Sequence, residues 1–469
     1  MMQSVPSNPT GRRPRVFTHL PLRWPSLGRL MAALSLLGLL ALAYLAGAAV
    51  LFFQLHSADF LRKAFTGAQA WHERGQPPTP RRTAAAAAHP GVTVDVPSKT
   101  CDGFTLYTTV PGAQATLLDM RGAVVHRWQL PFRQAWPQAP HLRQPVPDER
   151  IHWFRCHLYA NGDLLAIYHA EGDTPYGYGL VKLDKDSQLV WAYPACVHHD
   201  LDVAEDGTIY TLSQQIVHQA PAGLESLPTP YLGDCLVVLS PEGQELDSIP
   251  ILEAFRDSPY ALLLAGIAEG RALIDVPPSG DTVPPADYAA QLLAKGDIVH
   301  TNSVKVLSQG RAANFPLFKA GQLLVSIRNL DTIAVLDRPT RRVVWAARGM
   351  WRIQHDAEFL DNGHLLLFDN LGSVKGCRVI EYDPRTQATP WWYANENASP
   401  FSAAFRGMKQ RLSNGNTLIV DPDHVRLLEV TADKEVVWES FCPGAITAVT
   451  GARRYRPDEL KFLNGRPRP

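Results

Sequence analysis

The chain has 469 residues, with 45 Lys and Arg against 45 Asp and Glu. A single compact core of ordinary build does not reach that size, so the fold is repetitive or divided. The charge balance removes any global electrostatic reason to bind nucleic acid, and that class of partner is set aside.

From Leu30 to Phe53 there is no charged residue, and the run is mostly Leu and Ala. About 20 apolar residues suffice to cross the hydrocarbon layer. Arg12, Arg13, Arg15, Arg23 and Arg29 precede the run, and no acidic residue occurs before Asp59. Positive flanks stay in the cytoplasm. The expectation is a basic cytoplasmic N-terminus (1–29), one transmembrane anchor (30–55) partnered by the lipid bilayer, and the rest of the chain on the periplasmic or extracytoplasmic side of the cytoplasmic membrane. A cleaved signal peptide is the alternative, since Ala46–Ala49 offers small residues, but the run is longer than a signal h-region. A Pro- and Ala-rich stretch (56–90) reads as a tether, and an ordered domain fills 91–469. All six cysteines follow the anchor, with no C-x-x-C pair. An even number permits disulfides, and buried thiols fit the spacing equally.

Next comes a repeat: a Gly, a β-rich run, a turn, a second run, another turn, and a third run that often ends in Trp. Copies start at Gly103, Gly162, Gly207, Gly321, Gly363 and Gly415, with spacings of 59, 45, 114, 42 and 52. The alternating, β-branched pattern predicts strands. Adding the short run before each Gly gives four strands per copy, the composition of a propeller blade. The 114-residue gap holds segments of helical composition and period, a helical insertion at about 251–296. The fold class is therefore all-β: a six-bladed β-propeller with a helical insertion, preceded by one transmembrane helix.

Two copies share a longer motif. His199-Asp200-Leu201-Asp202 begins eight residues before Gly207, and His355-Asp356-Ala357-Glu358 begins eight before Gly363. Equivalent repeat positions land at equivalent places around the axis. The run before each Gly is the innermost strand, so both histidines face one central channel. His157 and His300 lie near the same phase.

In chain order the sequence shows His198-His199-Asp200, Asp297-x-x-His300-x-Asn302-Ser303, Leu323–Ile327 ending at Arg328, Gln354-His355, and Phe368-Asp369-Asn370. This ordered set on six propeller-like repeats resembles the bacterial arylsulfotransferases, which use no activated nucleotide sulfate. The resemblance covers roughly Gly103 to Trp438. It implies transfer of a sulfuryl group from a phenolic sulfate donor to a phenolic acceptor, without a cofactor. By the same resemblance His355 is the residue that becomes transiently sulfated. His199, His300, Asn302 and Arg328 hold the sulfuryl oxygens or handle the phenol proton, and His198 is the less favoured of its pair. The chain departs from the family's well-known members, which carry a β-sandwich before the propeller. It also has one extra residue before the Gly of Phe368–Gly372.

The residue types fit that chemistry. A sulfate ester is anionic and repels nucleophiles, so Arg and N–H donors must surround its oxygens. A neutral imidazole can attack sulfur, and a second His can move the proton. Trp153, Phe154, Tyr176, Tyr178, Phe401 and Phe405 are candidates to stack on aryl rings, with ordinary packing as the alternative for each. Two rival functions stand beside this one. The first is a three-histidine metal enzyme, a lyase or oxygenase, disfavoured by Arg328 in the same cavity. The second is a non-catalytic binding propeller.

Overall fold

The computed structural model describes 27–52 and most of 91–464. Residues 1–26, 53–90, 143–144, 171–174, 228, 269–295, 374–375, 395–402, 404–405, 445 and 465–469 lie outside the described residues. The chain divides into two units, 1–77 and 78–469. The first contains helix α1, Leu27–Phe52. No helix among the described residues is long and apolar enough to cross a membrane. The expected anchor is therefore not shown, and the basic terminus and the tether fall outside the described residues.

The second unit contains 25 strands among the described residues. β1 is Gly91–Asp95; β2, β3 and β4 are Phe104–Val110, Gln114–Leu118 and Val124–Gln129. β5 to β8 are Ile151–Leu158, Leu164–Ala170, Gly177–Leu183 and Leu189–Tyr193. β9 to β12 are Val197–Val203, Ile209–Val217, Tyr231–Leu239 and Glu245–Pro250. β13 to β16 are Thr301–Val306, Leu323–Ile327, Thr332–Asp337 and Arg342–Arg348. β17 to β20 are His355–Phe359, Leu365–Ser373, Gly376–Tyr382 and Trp391–Tyr393. β21 to β25 are Met408–Arg411, Thr417–Asp421, Arg426–Val430, Val436–Phe441 and Ala448–Tyr455.

These strands form six antiparallel sheets. Their inner edges, β25, β5, β9, β13, β17 and β21, neighbour one another in that order and close a ring. The six-bladed propeller expected from the repeats is what the chain forms. The helical insertion is present at Ile251–Arg256, Ala261–Leu264 and Ala265–Ala268; the rest of it lies outside the described residues.

The repeat signals have physical causes. Gly162, Gly207, Gly321, Gly363 and Gly415 sit at φ between 82° and 92°, in the tight turn from the inner strand to the second. L-residues with a Cβ avoid that region. The recurring Trp is a latch between blades. Its indole N–H donates to a turn carbonyl of the next blade: Trp128 to Gly162 O (3.0 Å), Trp191 to Pro241 O (3.2 Å), Trp391 to Ala432 O (2.9 Å) and Trp438 to Met120 O (2.9 Å).

One expectation fails. The run before Gly103 is not the inner strand of the first blade. That place is taken by β25, which pairs with β2 from Phe104↔Tyr455 to Val110↔Ala448. β1 instead adds a fifth strand outside β24. β1 and β25 thus close the ring, a long-range pairing that a local repeat pattern does not encode.

Candidate active site

Each acid of the shared motif accepts a backbone N–H from the next blade's inner strand. Asp200 Oδ2 accepts from Val304 N (3.0 Å), and Asp356 Oδ2 from Lys409 N (3.0 Å). Between them, Ser303 Oγ accepts from Ala357 N (3.1 Å). These staples align Asp200, Ser303 and Asp356, and so align the residues before them: His199, Asn302 and His355. The motif position in β13 belongs to Asn302, not to His300, which lies two residues earlier. All three inner strands are bulged here, at residues 199–200, at 302, and between His355 and Glu358. A bulge re-aims side chains, and His199 and His300 adopt left-handed φ of 58° and 49°.

The acids also build a layer of charge across the axis. Arg155 on β5 pairs with Asp200 (3.0 Å) and with Asp356 (3.3 Å). Lys305 on β13 pairs with Asp200 (2.5 Å), and Lys409 on β21 with Asp356 (3.3 Å) and Glu358 (3.1 Å). Five successive blades thus contribute +, −, +, −, +. Burial alone would raise the Asp356 carboxyl, but Lys409, Arg155 and Lys305 hold it well below the usual range.

Just before this layer in the inner strands lie the candidate residues. His355 is buried, and its Nδ1 meets Asn370 Oδ1 (2.8 Å) and Ile353 O (3.0 Å). Both partners are acceptors, so the proton sits on Nδ1. Nε2 is buried with no hydrogen-bond partner among the described residues. Burial, helped by the Arg328 guanidinium, pushes the imidazole down to about 3, so it is neutral at ordinary pH.

His300 Nδ1 is bonded to Asp297 Oδ2, a carboxylate–imidazole pair. Burial lowers the His300 pKa, and Asp297 opposes the fall. The His300 ring lies 4.8 Å from the ring of His199, edge to face. His199 Nδ1 meets His198 Nδ1 at 2.8 Å, and His198 Nε2 lies 3.6 Å from Asp234 Oδ1. Burial drives His199 well below its ordinary pKa and His198 to about 3. His198 is therefore the residue that backs His199.

Arg328 follows β14 directly. Its Nη1 donates to Asn329 Oδ1 (3.1 Å), while its Nε is buried without a partner among the described residues. Burial lowers its pKa, and Asp297 opposes the fall. Asn302 Nδ2 donates one N–H to Gln354 O (2.8 Å), and its Oδ1 has no partner among the described residues. Gln354 is buried and held by Ser326 Oγ, Ile327 O and Thr332 O, so it fixes the strand rather than facing the site.

His157 packs against Tyr159 (4.8 Å), away from this cluster. Among the aromatic candidates, Phe154 and Tyr176 reach His199 at 5.3 and 5.2 Å. Trp153 packs on Tyr168 and Tyr178 on Phe132, both in a core cluster; Phe401 and Phe405 lie outside the described residues. The sequence reading missed Gln214 and Asp234. These face each other across β10 and β11; Gln214 Nε2 donates to Tyr176 Oη (2.8 Å), and Asp234 accepts from Thr301 N (2.5 Å). The acidic Asp234 inside the otherwise apolar β11 was the available signal. Among the described residues no group of three or more His, Cys, Asp or Glu is placed to hold a metal ion.

The chain is similar in structure to a protein of unknown function from Bacteroides caccae, at 12% identity and a TM-score of 0.44, over 74% of this chain and 98% of that one. It is also similar to virginiamycin B lyase from Staphylococcus aureus, at 9% identity and a TM-score of 0.32, over 65% and 84%. Likenesses this distant say nothing about activity. No curated protein matches the chain. The arylsulfotransferase (ASST) family model matches residues 156–442, more than half of the sequence, and takes in His199, His300, Asn302, Arg328 and His355. The chain belongs to the arylsulfotransferase family.

Proposed function

We propose that this protein is a sulfotransferase that moves a sulfuryl group from an aryl sulfate ester to a phenolic acceptor through a sulfated His355. The observation that carries the reading is the state of that imidazole: neutral, Nδ1–H committed to two acceptors, Nε2 bare. In the first half-reaction the Nε2 lone pair attacks sulfur, and the S–O bond to the aryl group breaks with its electron pair on oxygen. In the second, the acceptor oxygen attacks the same sulfur and the S–N bond breaks, returning the pair to Nε2. His300, with Nδ1 held by Asp297, takes the acceptor's proton at Nε2. It delivers that proton to the phenolate leaving from the next donor. Arg328 is the fixed cation for the sulfuryl oxygens. Asn302 keeps a second N–H for the same task. Incubation with a chromogenic aryl sulfate, with and without added phenol, tests the reading. Turnover that depends on the phenol is expected, and no colour under either condition would contradict it.

Arg328 gives a sharper test. A guanidinium can bridge two sulfuryl oxygens where an ammonium is a point charge. Arg328→Lys is expected to fold normally and to lose about 10²–10³ in rate, the usual effect of removing one preorganised donor. Near-normal turnover would take Arg328 out of the site.

We also propose that the N-terminal segment anchors the protein with the propeller outside the cytoplasm. What supports this is sequence alone: the uncharged run Leu30–Phe53 and the arginines before it. A reporter active only in the cytoplasm, fused after Pro469, should be silent; strong activity would overturn the topology.

A further inference from the structure

Asn370 lies on β18, beside the start of β17, and is 1% exposed. Asp369 braces the irregular stretch of β18 that carries it, accepting from Arg352 N (2.9 Å) and Gly372 N (2.8 Å). The Asn370 side-chain NH₂ uses both hydrogens, on Ala403 O (2.5 Å) and Arg406 O (2.7 Å). An amide held this way cannot exchange its ends, because a flip would set its oxygen against two carbonyls. The end that meets His355 Nδ1 is therefore an oxygen.

We infer that Asn370 is a positioning residue that fixes which nitrogen of His355 is free to attack. This rests on the reading of His355 as the nucleophile. Ile353 O also accepts from Nδ1, but Ile353 is two residues away in the same chain segment and moves with the ring. Asn370 is the contact that refers the ring to a separate part of the fold, the carbonyls of Ala403 and Arg406. With Nδ1 protonated and held, the Nε2 lone pair is the only nucleophilic site the ring offers. If the ring rotated or the proton moved to Nε2, that lone pair would be lost. Orienting groups of this kind act by selecting a tautomer and a direction.

The test uses the full chain labelled with ¹⁵N-histidine, with His355 identified by its absence from a His355→Asn sample. The wild type is expected to show His355 protonated on Nδ1 only. Asn370→Ala should admit the other tautomer. It should slow the first-turnover release of phenol by about 10–100-fold, as loss of an outer partner does for metal-bound histidines, with KM little changed. A loss of packing alone would not change the tautomer. A wild-type His355 protonated on Nε2 overturns the inference, whether or not the variants fold. So does an Ala variant with an unchanged tautomer and a first-turnover rate within about twofold of wild type. A tautomer that depends on Asn370 in a protein that forms no sulfated histidine would uphold the positioning and sink the nucleophile instead.

Discussion

His355→Asn is expected to abolish both turnover and the first-turnover burst of phenol. An asparagine amide has no lone pair able to displace a phenolate from sulfur, so nothing replaces Nε2. Binding is expected to survive, since Arg328 and Asn302 are untouched. Stability should change little. The imidazole holds one proton between two acceptors, and losing such a bond costs about 1 kcal/mol, a few degrees at most in a domain of this size. His199→Asn should slow the burst without erasing it, because His199 is backed by His198 and lies beside His300 rather than supplying the attacking nitrogen. Stopped-flow release of a coloured phenol separates the two variants. A full burst from the His355 variant, with none from the His199 variant, would move the nucleophile to β9.

Asp356→Ala is expected to produce the largest loss of stability, about 3–5 kcal/mol, as breaking a buried ion pair from one side does. Asp356 is 2% exposed and answers Arg155 and Lys409 at once, besides accepting the Lys409 backbone N–H. Its removal leaves two buried cations with fewer partners, and among the described residues Lys409 keeps Glu358. Denaturant unfolding at neutral pH measures the effect. A change below about 1 kcal/mol would show that water reaches the layer and that it holds the ring together far less than its geometry indicates.

The His-Asp motif illustrates what the sequence made legible and what it hid. Its repetition correctly marked two inner strands, because the staple between blades needs an acceptor at the same place each time. But the repeated part is the acid, which serves the ring; the histidine before it is the part that varies in role. That is why His300 read as lying near the shared phase when Ser303, by its staple, puts Asn302 in it. A hydroxyl does the work of a carboxylate, and no pattern of identical letters reveals it. The six blades were legible because glycine turns and tryptophan latches recur locally. The closure by β25 was not, since its partner β2 is more than 300 residues away. Gln214 and Asp234 escaped for a related reason: Gln214 is one of several polar residues in β10 and Asp234 stands alone in β11, and only their pairing across the two strands makes them a feature.

The most direct measurement is made on the wild type. The enzyme is mixed with an aryl sulfate and no acceptor, quenched, digested under conditions that preserve N–S bonds, and mapped by mass spectrometry. The account predicts about one phenol released per active site and one sulfuryl group, on Nε2 of His355, in the peptide containing Gln354. Adding phenol should discharge it. Transfer to phenol at a steady rate with no adduct and no burst would mean a single direct displacement, and the covalent role of His355 would be wrong.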